Sequence, residues 1–305
     1  MRLREEEGGC EPLHRELSKE TQREMLRRYG VRPKRRYGQN FLIDPGSINK
    51  VIDLAQIGAS DTVVEIGSGA GALTGKLADL AAAVHAVELD GSLTAILKQE
   101  FSGRNVIVHN SDIRKFEFDR LAEIAGAPLV VVGNLPYYLT TDILFTILSH
   151  SRYVARATLM VQREYAGRLL ATPGGKDYGA LTVAVNYRSE VEPLMLLDPG
   201  VFYPVPQVSS TLISVTPRRK PLAQVPDDAL FHGIVRAAFA TRRKTLLNAL
   251  LEKSKRPRNV VVELMDAAGI DPARRGETLS VEDFARLTTS FHEAGIVIRA
   301  AGKLN

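Results

Sequence analysis

Four consecutive residues, Asn134-Leu135-Pro136-Tyr137, follow an apolar run over 128–132 and Gly133. Their types suit one piece of chemistry. The Asn134 amide oxygen and the Leu135 carbonyl can both accept hydrogen bonds from an aromatic amine such as N6 of adenine. That nitrogen is a poor nucleophile, because its lone pair is delocalised into the ring. Two acceptors draw it towards tetrahedral geometry and free the lone pair to attack a sulfonium methyl. Pro136 lacks an N–H and has a fixed φ, so it stiffens the loop that aims them. Tyr137 offers a face for an extracted base and tolerates a cation nearby. The scheme needs neither a metal nor a strong general base, since water can take the proton that the methylated nitrogen sheds. Phe202, in Val201-Phe202-Tyr203-Pro204-Val205-Pro206, is the candidate for a second aromatic face; the other reading is an ordinary packed Phe.

Upstream, Glu65-Ile66-Gly67-Ser68-Gly69-Ala70-Gly71 stands where a strand turns into a helix. Glycines there let the backbone turn tightly and approach a ligand closely. Gly67 and Gly69 belong to a G-x-G-x-G spacing, not the G-x-G-x-x-G of dinucleotide enzymes, and a bare tight turn would use them too. Glu88 lies 21 positions after Gly67 at the end of the next strand. A carboxylate there can accept from both ribose hydroxyls, which serves a nicotinamide dinucleotide and S-adenosylmethionine equally. Asp112, just past the third strand, can accept from an adenine amine or simply form a turn.

The elements that must carry these residues alternate in type. Residues 62–66, 84–88, 106–108 and 128–132 are short β-branched runs, and 72–82, 92–101 and 140–150 read as helices between or after them. The alternation predicts parallel βαβ units in an α/β, doubly wound sheet. A fifth strand is expected at 159–162 with a helix to about 170, and late strands at 181–187 and 211–215, the last as an antiparallel edge. A helix at 47–57 precedes the sheet. The polar linker 217–226 divides it from helices expected at 227–252, 258–268 and 281–294. Three parts follow: a basic N-terminal extension (1–36), a ligand-binding sheet domain (37–217) and a smaller C-terminal helical domain (222–305).

The formal charge of +5 is unevenly spread. Residues 1–36 hold 11 Lys/Arg against 7 Asp/Glu, residues 37–217 hold 13 against 18, and residues 218–305 hold 16 against 10. Basic ends around an acidic middle suit a polyanion held by the flanks, although solvated surface helices give the same pattern. Within them, Arg32, Lys34 and Arg35 form one cluster and Arg242, Arg243 and Lys244 another, both suited to phosphate. Cys10 is the only cysteine, so intrachain disulfides and multi-cysteine zinc sites are excluded and a reducing cytoplasm fits. No stretch of about 18 apolar residues predicts a membrane span, and no secretory signal is read. His85 and His109 receive no role, and no metal-ligand spacing is found.

Taken together, these residues resemble the small-subunit ribosomal RNA adenine N6-dimethyltransferases, the bacterial KsgA/RsmA type. The resemblance runs from about residue 24 to about 290. Besides the stretches above it includes Gly38-Gln39-Asn40-Phe41-Leu42, Val87-Glu88-Leu89-Asp90, Met160-Val161-Gln162-Arg163-Glu164, Lys176-Asp177-Tyr178-Gly179 and Arg242-Arg243-Lys244-Thr245-Leu246. It implies a Rossmann-like methyltransferase sheet and S-adenosylmethionine, spent as S-adenosylhomocysteine. It also implies dimethylation of two adjacent adenosines in the 3′-terminal hairpin of small-subunit (16S) rRNA and a part in late subunit assembly. A monomer is expected, although the sequence does not fix oligomeric state. Gln39, Asn40, Leu42, Gly67, Gly69, Glu88, Asp112 and Asn134 become the implied cofactor positions. Asn134, Leu135, Pro136, Tyr137 and Phe202 become the target-base and catalytic positions. The chain departs from the family pattern at Ser68, at Arg36-Tyr37 and at Gln207 and Ser209. The rival readings are a large-subunit adenine methylase of the macrolide-resistance type, a non-catalytic RNA-binding assembly factor, and a nicotinamide oxidoreductase. Leu135 and the 242–246 segment favour the small-subunit type over the first. An intact motif at 134–137 speaks against the second, and the third has no use for that motif.

Overall fold

A computed structural model describes residues 19–34, 37–241 and 243–298. Helix α1 (Lys19–Arg28), the two-residue strand β1 (Phe41–Leu42) and α2 (Pro45–Ala55) lead into alternating elements. These are β2 (Thr62–Ile66), α3 (Thr74–Leu80), β3 (Ala83–Glu88), α4 (Gly91–Glu100), β4 (Val106–Asn110), α5 (Phe118–Ala125), β5 (Leu129–Asn134), α6 (Thr140–Ser149), β6 (Val154–Gln162) and α7 (Arg163–Leu169). Then come α8 (Ala180–Arg188), β7 (Ser189–Leu197), β8 (Phe202–Tyr203) and β9 (Ser210–Pro217). Four helices finish the chain: α9 (Asp228–Phe239), α10 (Leu246–Ser254), α11 (Arg258–Ala267) and α12 (Val281–Glu293).

Strands β4-β3-β2-β5-β6 pair in parallel, and β9 and then β7 extend the sheet antiparallel. The period of two along each strand sends alternate residues to opposite faces. Val63, Val130 and Val132 pack with Ile48, Val51 and Leu77 of α2 and α3. Val64, Leu129 and Val131 pack with Phe118, Ile143 and Leu169 of α5, α6 and α7 on the other side. With helices on both faces, this is the expected doubly wound sheet. The strand order reverses between β2 and β5, which opens a crevice at their C-terminal ends.

Three expectations about elements are corrected, and β7 and α5 are additions to them. Residues 181–187 form helix α8, not a strand. Leu181 and Val185 lie in the sheet core, whereas Tyr178, Val183 and Tyr187 lie in the core of α9–α12. A helix buried on both sides has no polar stripe, and a short apolar run then reads like a strand. The missed strand is β7, whose Glu190, Glu192 and Pro193 hide it. Proline is tolerated there because β7 is the sheet edge, and the register shifts between Pro193 and Met195. β9 is accordingly an internal strand. The helix expected over 227–252 is two helices, α9 ending at Phe239 and α10 capped by Thr245, which accepts from Asn248 N. Helix α5 was not anticipated.

The second core joins α8 to α9–α12. Tyr187 stacks on Phe231 at 4.3 Å between centroids, and its hydroxyl donates to Asp228 Oδ1 at 2.7 Å. Among the described residues no helix is long and apolar enough to cross a membrane. His85 and His109, on neighbouring strands, meet through their ring nitrogens at 3.0 Å.

Candidate active site

An open cavity occupies the crevice, with about 1000 Å³ of empty space that includes open solvent. It is lined by the C-terminal ends of β2, β3 and β5, by the loops that follow β2, β3, β4 and β5, and by residues 37–42. Gln39, Asn40, Leu42, Gly67, Gly69, Glu88, Asp112, Asn134, Leu135, Pro136 and Tyr137 all line it.

The glycine loop needs glycine twice for different reasons. Gly67 has φ +68°, and a Cβ there would stand 3.2 Å from the Asn134 carbonyl oxygen. Gly69 has φ +57°, and its Cβ would press on the Phe41 ring at 3.1 Å. Both are left-handed conformations in tight surroundings, which a side chain would strain. Gly69 N in turn donates to Glu88 Oε2 at 2.9 Å, while Asp90 N donates to Oε1 at 2.8 Å. Each Glu88 oxygen thus holds one backbone donor and keeps acceptor capacity for a ligand. Burial pushes the Glu88 carboxyl above its ordinary range, against those two hydrogen bonds. Glu65, only 2% exposed, is pushed up to about 8 by burial, with Thr74 Oγ1 donating to its Oε2 at 2.5 Å.

The loop that follows β5 is fixed from several directions. Asn134 Nδ2 donates to the Asn40 carbonyl at 2.8 Å, which leaves Oδ1 as the amide's acceptor. Leu135 N donates to Met160 O at 3.1 Å, where pairing with β6 ends. Among the described residues no backbone donor reaches the Leu135 carbonyl. Pro136, at φ −63°, starts a 3₁₀ turn over Tyr137–Leu139, and its carbonyl accepts from Leu139 N at 3.0 Å. The Tyr137 hydroxyl lies 3.1 Å from Ser210 Oγ on β9. Tyr138, 57% exposed, stands at the rim with Tyr37.

Several sequence-derived assignments change. Phe202 is 1% exposed and does not line the cavity; its ring packs with Leu42, Met160, Leu197 and Leu212. Pairing of β8 with β1, Phe202 opposite Leu42, turns it into the core, so it is no stacking face here. Lys34 is not part of an open basic surface: its Nζ lies 2.8 Å from Asp90 Oδ1 and 2.9 Å from Ser92 Oγ. Gln39, though at the cavity, spends its side chain on the same anchor, accepting from Lys34 N at 2.7 Å and donating to Asp90 Oδ2 at 3.0 Å. Burial opposes Asp90 ionisation, but donors from Lys34, Ser92 and Gln39 outweigh it and hold the carboxyl at about 2. Asp112 caps the 3₁₀ turn Ile113–Lys115, and Arg114, unremarked in the sequence, grips its carboxylate and lowers its pKa. Arg32 is exposed, as are Arg243 and Lys244 before α10, and none of these lines the cavity. Lys244 pairs with Glu252 at 2.8 Å. Arg35 and Arg242 lie outside the described residues.

A ribosomal RNA small subunit methyltransferase A from Moorella thermoacetica is 46% identical over 276 residues, 87% of this chain and 94% of that protein. The crystal structure of a dimethyladenosine transferase from Plasmodium falciparum superposes with a TM-score of 0.72 at 27% identity, covering 84% of this chain and 98% of that one. The 23S rRNA methyltransferase ErmE superposes with a TM-score of 0.62 at 29% identity, over 83% and 99%. Residues 30–293 match the ribosomal RNA adenine dimethylases, and the chain belongs to that family.

Proposed function

We propose that this chain uses S-adenosylmethionine to dimethylate N6 of two adjacent adenosines in the 3′-terminal hairpin of small-subunit rRNA. The observation that carries the reading is the Asn134 amide. With Nδ2 committed to the Asn40 carbonyl, Oδ1 is left as the amide's acceptor, and Asn134 and Leu135 both line the cavity. The two acceptors hold the adenine amine and localise its lone pair, and Tyr137 supplies a face for the base. Water takes the proton released after transfer.

The cavity fits the cofactor. Gly67 and Gly69 allow the left-handed turns that shape the cavity wall, and Glu88, buried and fixed by two N–H donors, retains acceptor capacity for ribose hydroxyls. Asp112 is the acceptor for the adenine amine, between the apolar walls Ile66, Leu89 and Ile113. S-adenosylmethionine, when bound, supplies an electrophilic methyl on a sulfonium. Arg32, Arg243 and Lys244 are the described cations offered to phosphates.

The 46% identity to a small-subunit enzyme favours that substrate over the large-subunit RNA named for ErmE. Labelled-methyl transfer to undermethylated small subunits and to large-subunit RNA, with products mapped by mass spectrometry, decides between them. Transfer to large-subunit RNA alone would overturn the assignment.

A further inference from the structure

Arg114 is wrapped around Asp112 from outside the cavity. Asp112 accepts from Arg114 N at 3.0 Å at the start of the 3₁₀ turn. The side chain then folds back: Nε lies 3.0 Å from Oδ1 and 3.1 Å from Oδ2, and Nη2 lies 2.5 Å from Oδ2. The remaining terminal nitrogen, Nη1, reaches Asp142 Oδ2 at 3.5 Å. Asp142 sits in the first turn of α6, five positions after Tyr137. Asp112 lines the cavity and Arg114 does not, so the guanidinium acts from behind the carboxylate.

We propose that Arg114 is a positioning residue that fixes Asp112 for recognition of the cofactor's adenine amine. The proposal rests on the reading of Asp112 given above. A lone aspartate beside a turn samples several rotamers, whereas a planar fork on both oxygens selects one. A carboxylate offers about four lone-pair sites; the fork and the Arg114 backbone N–H take three of them, which leaves about one for a ligand. An ordinary exposed ion pair would contribute little, because two long side chains must be ordered to form it. Here the aspartate is already held by a backbone N–H, and the arginine needs to order only itself. Lysine keeps the charge but cannot form the fork. Through Asp142 the same guanidinium ties the loop after β4 to the helix that follows the catalytic loop.

The test compares S-adenosylhomocysteine with its purine analogue lacking the 6-amine, titrated calorimetrically into the full chain. The native chain should prefer the amine-bearing ligand by about tenfold or more, as a hydrogen bond to a charged group implies. R114A and R114K should both lose most of that preference, to about threefold or less, while affinity for the analogue stays within about twofold. D112A, which removes the acceptor, serves as the control. Loss of preference in D112A but not in R114A overturns the role of Arg114 alone. A preference absent from the native chain, or surviving in D112A, removes the Asp112 reading and this proposal with it. Equal weakening of both ligands in R114A and R114K would make the arginine a merely structural residue and also overturn the proposal.

Discussion

Asn134 and Asn40 are 94 positions apart in sequence, yet the side-chain amide of the first donates to the carbonyl of the second at 2.8 Å. This bond joins the loop at the end of β5 to residues 37–42, which also line the cavity. It also decides which end of the amide is left to accept. N134A should lower methyl transfer about 100-fold or more, the size seen when one preorganised polar group is removed from a site of charge development. N134D is the sharper variant. Its carboxylate keeps the acceptor but cannot donate to the Asn40 carbonyl, so two oxygens face each other and the loop moves. Single-turnover transfer should therefore be as poor in N134D as in N134A. A native rate in either would remove the aiming role of Asn134.

Glu88 predicts a separation between binding and catalysis. E88Q keeps a shape close to the native one, but its amide NH₂ must face either Gly69 N or Asp90 N, both of which are donors. The affinity for S-adenosylhomocysteine should fall by about 10- to 100-fold, the range expected for hydrogen bonds to a charged group. E88A should in addition lower folding stability by about 1–3 kcal/mol, because both N–H groups lose their acceptor. Calorimetry and urea unfolding read the two effects independently. Unchanged affinity in E88Q would exclude Glu88 from the cofactor site.

What the sequence made legible was whatever is local. The β-branched runs, the glycine turn and the tetrapeptide at 134–137 fall where they were expected, because each is specified by neighbours within a few residues. The parts that were missed depend on partners far along the chain. Nothing near Phe202 shows that β8 will pair with β1 and turn its ring into the core. Nothing near Lys34 shows that Asp90, 56 positions on, will take its ammonium. Helix α8 was misread because it is buried by two cores at once, which erases the amphipathic stripe. Arg114 was the exception: its spacing of two from Asp112 was visible, but only the turn geometry brings the fork onto the carboxylate.

The basic segment before α10 predicts a graded salt response. Arg243 and Lys244 are both exposed, but Lys244 is already paired with Glu252. Removing a cation that contacts phosphate should flatten the dependence of log Kd on log salt by about 0.7 to 0.9, the range between single strands and a B-form duplex. R243A should change the slope by about that amount and K244A by less, since part of the lysine's charge is spent within the protein. Filter binding to a small-subunit hairpin between low and physiological salt measures this. Equal slopes in the native chain and R243A would take that residue out of the interface.

Glu65 gives the chain a pH signature of definite sign. Its carboxyl is pushed up to about 8 by burial, whereas the unfolded chain titrates at the ordinary value of 4.5. Between those values the unfolded chain has lost the proton and the folded chain retains it, so unfolding becomes easier as pH rises. Below 4.5 the stabilising contribution is fully present, and it is lost by the time pH passes about 8. E65Q mimics the protonated form, keeps an acceptor for Thr74 Oγ1 and has no proton to lose. Stability of the native chain relative to E65Q should therefore decline steadily across that window and then level off. Urea unfolding of both proteins from pH 5 to about 8.5 measures the gap. Curves that stay parallel over the whole range would mean that Glu65 is ionised in the folded chain, and that burial does not control its protonation.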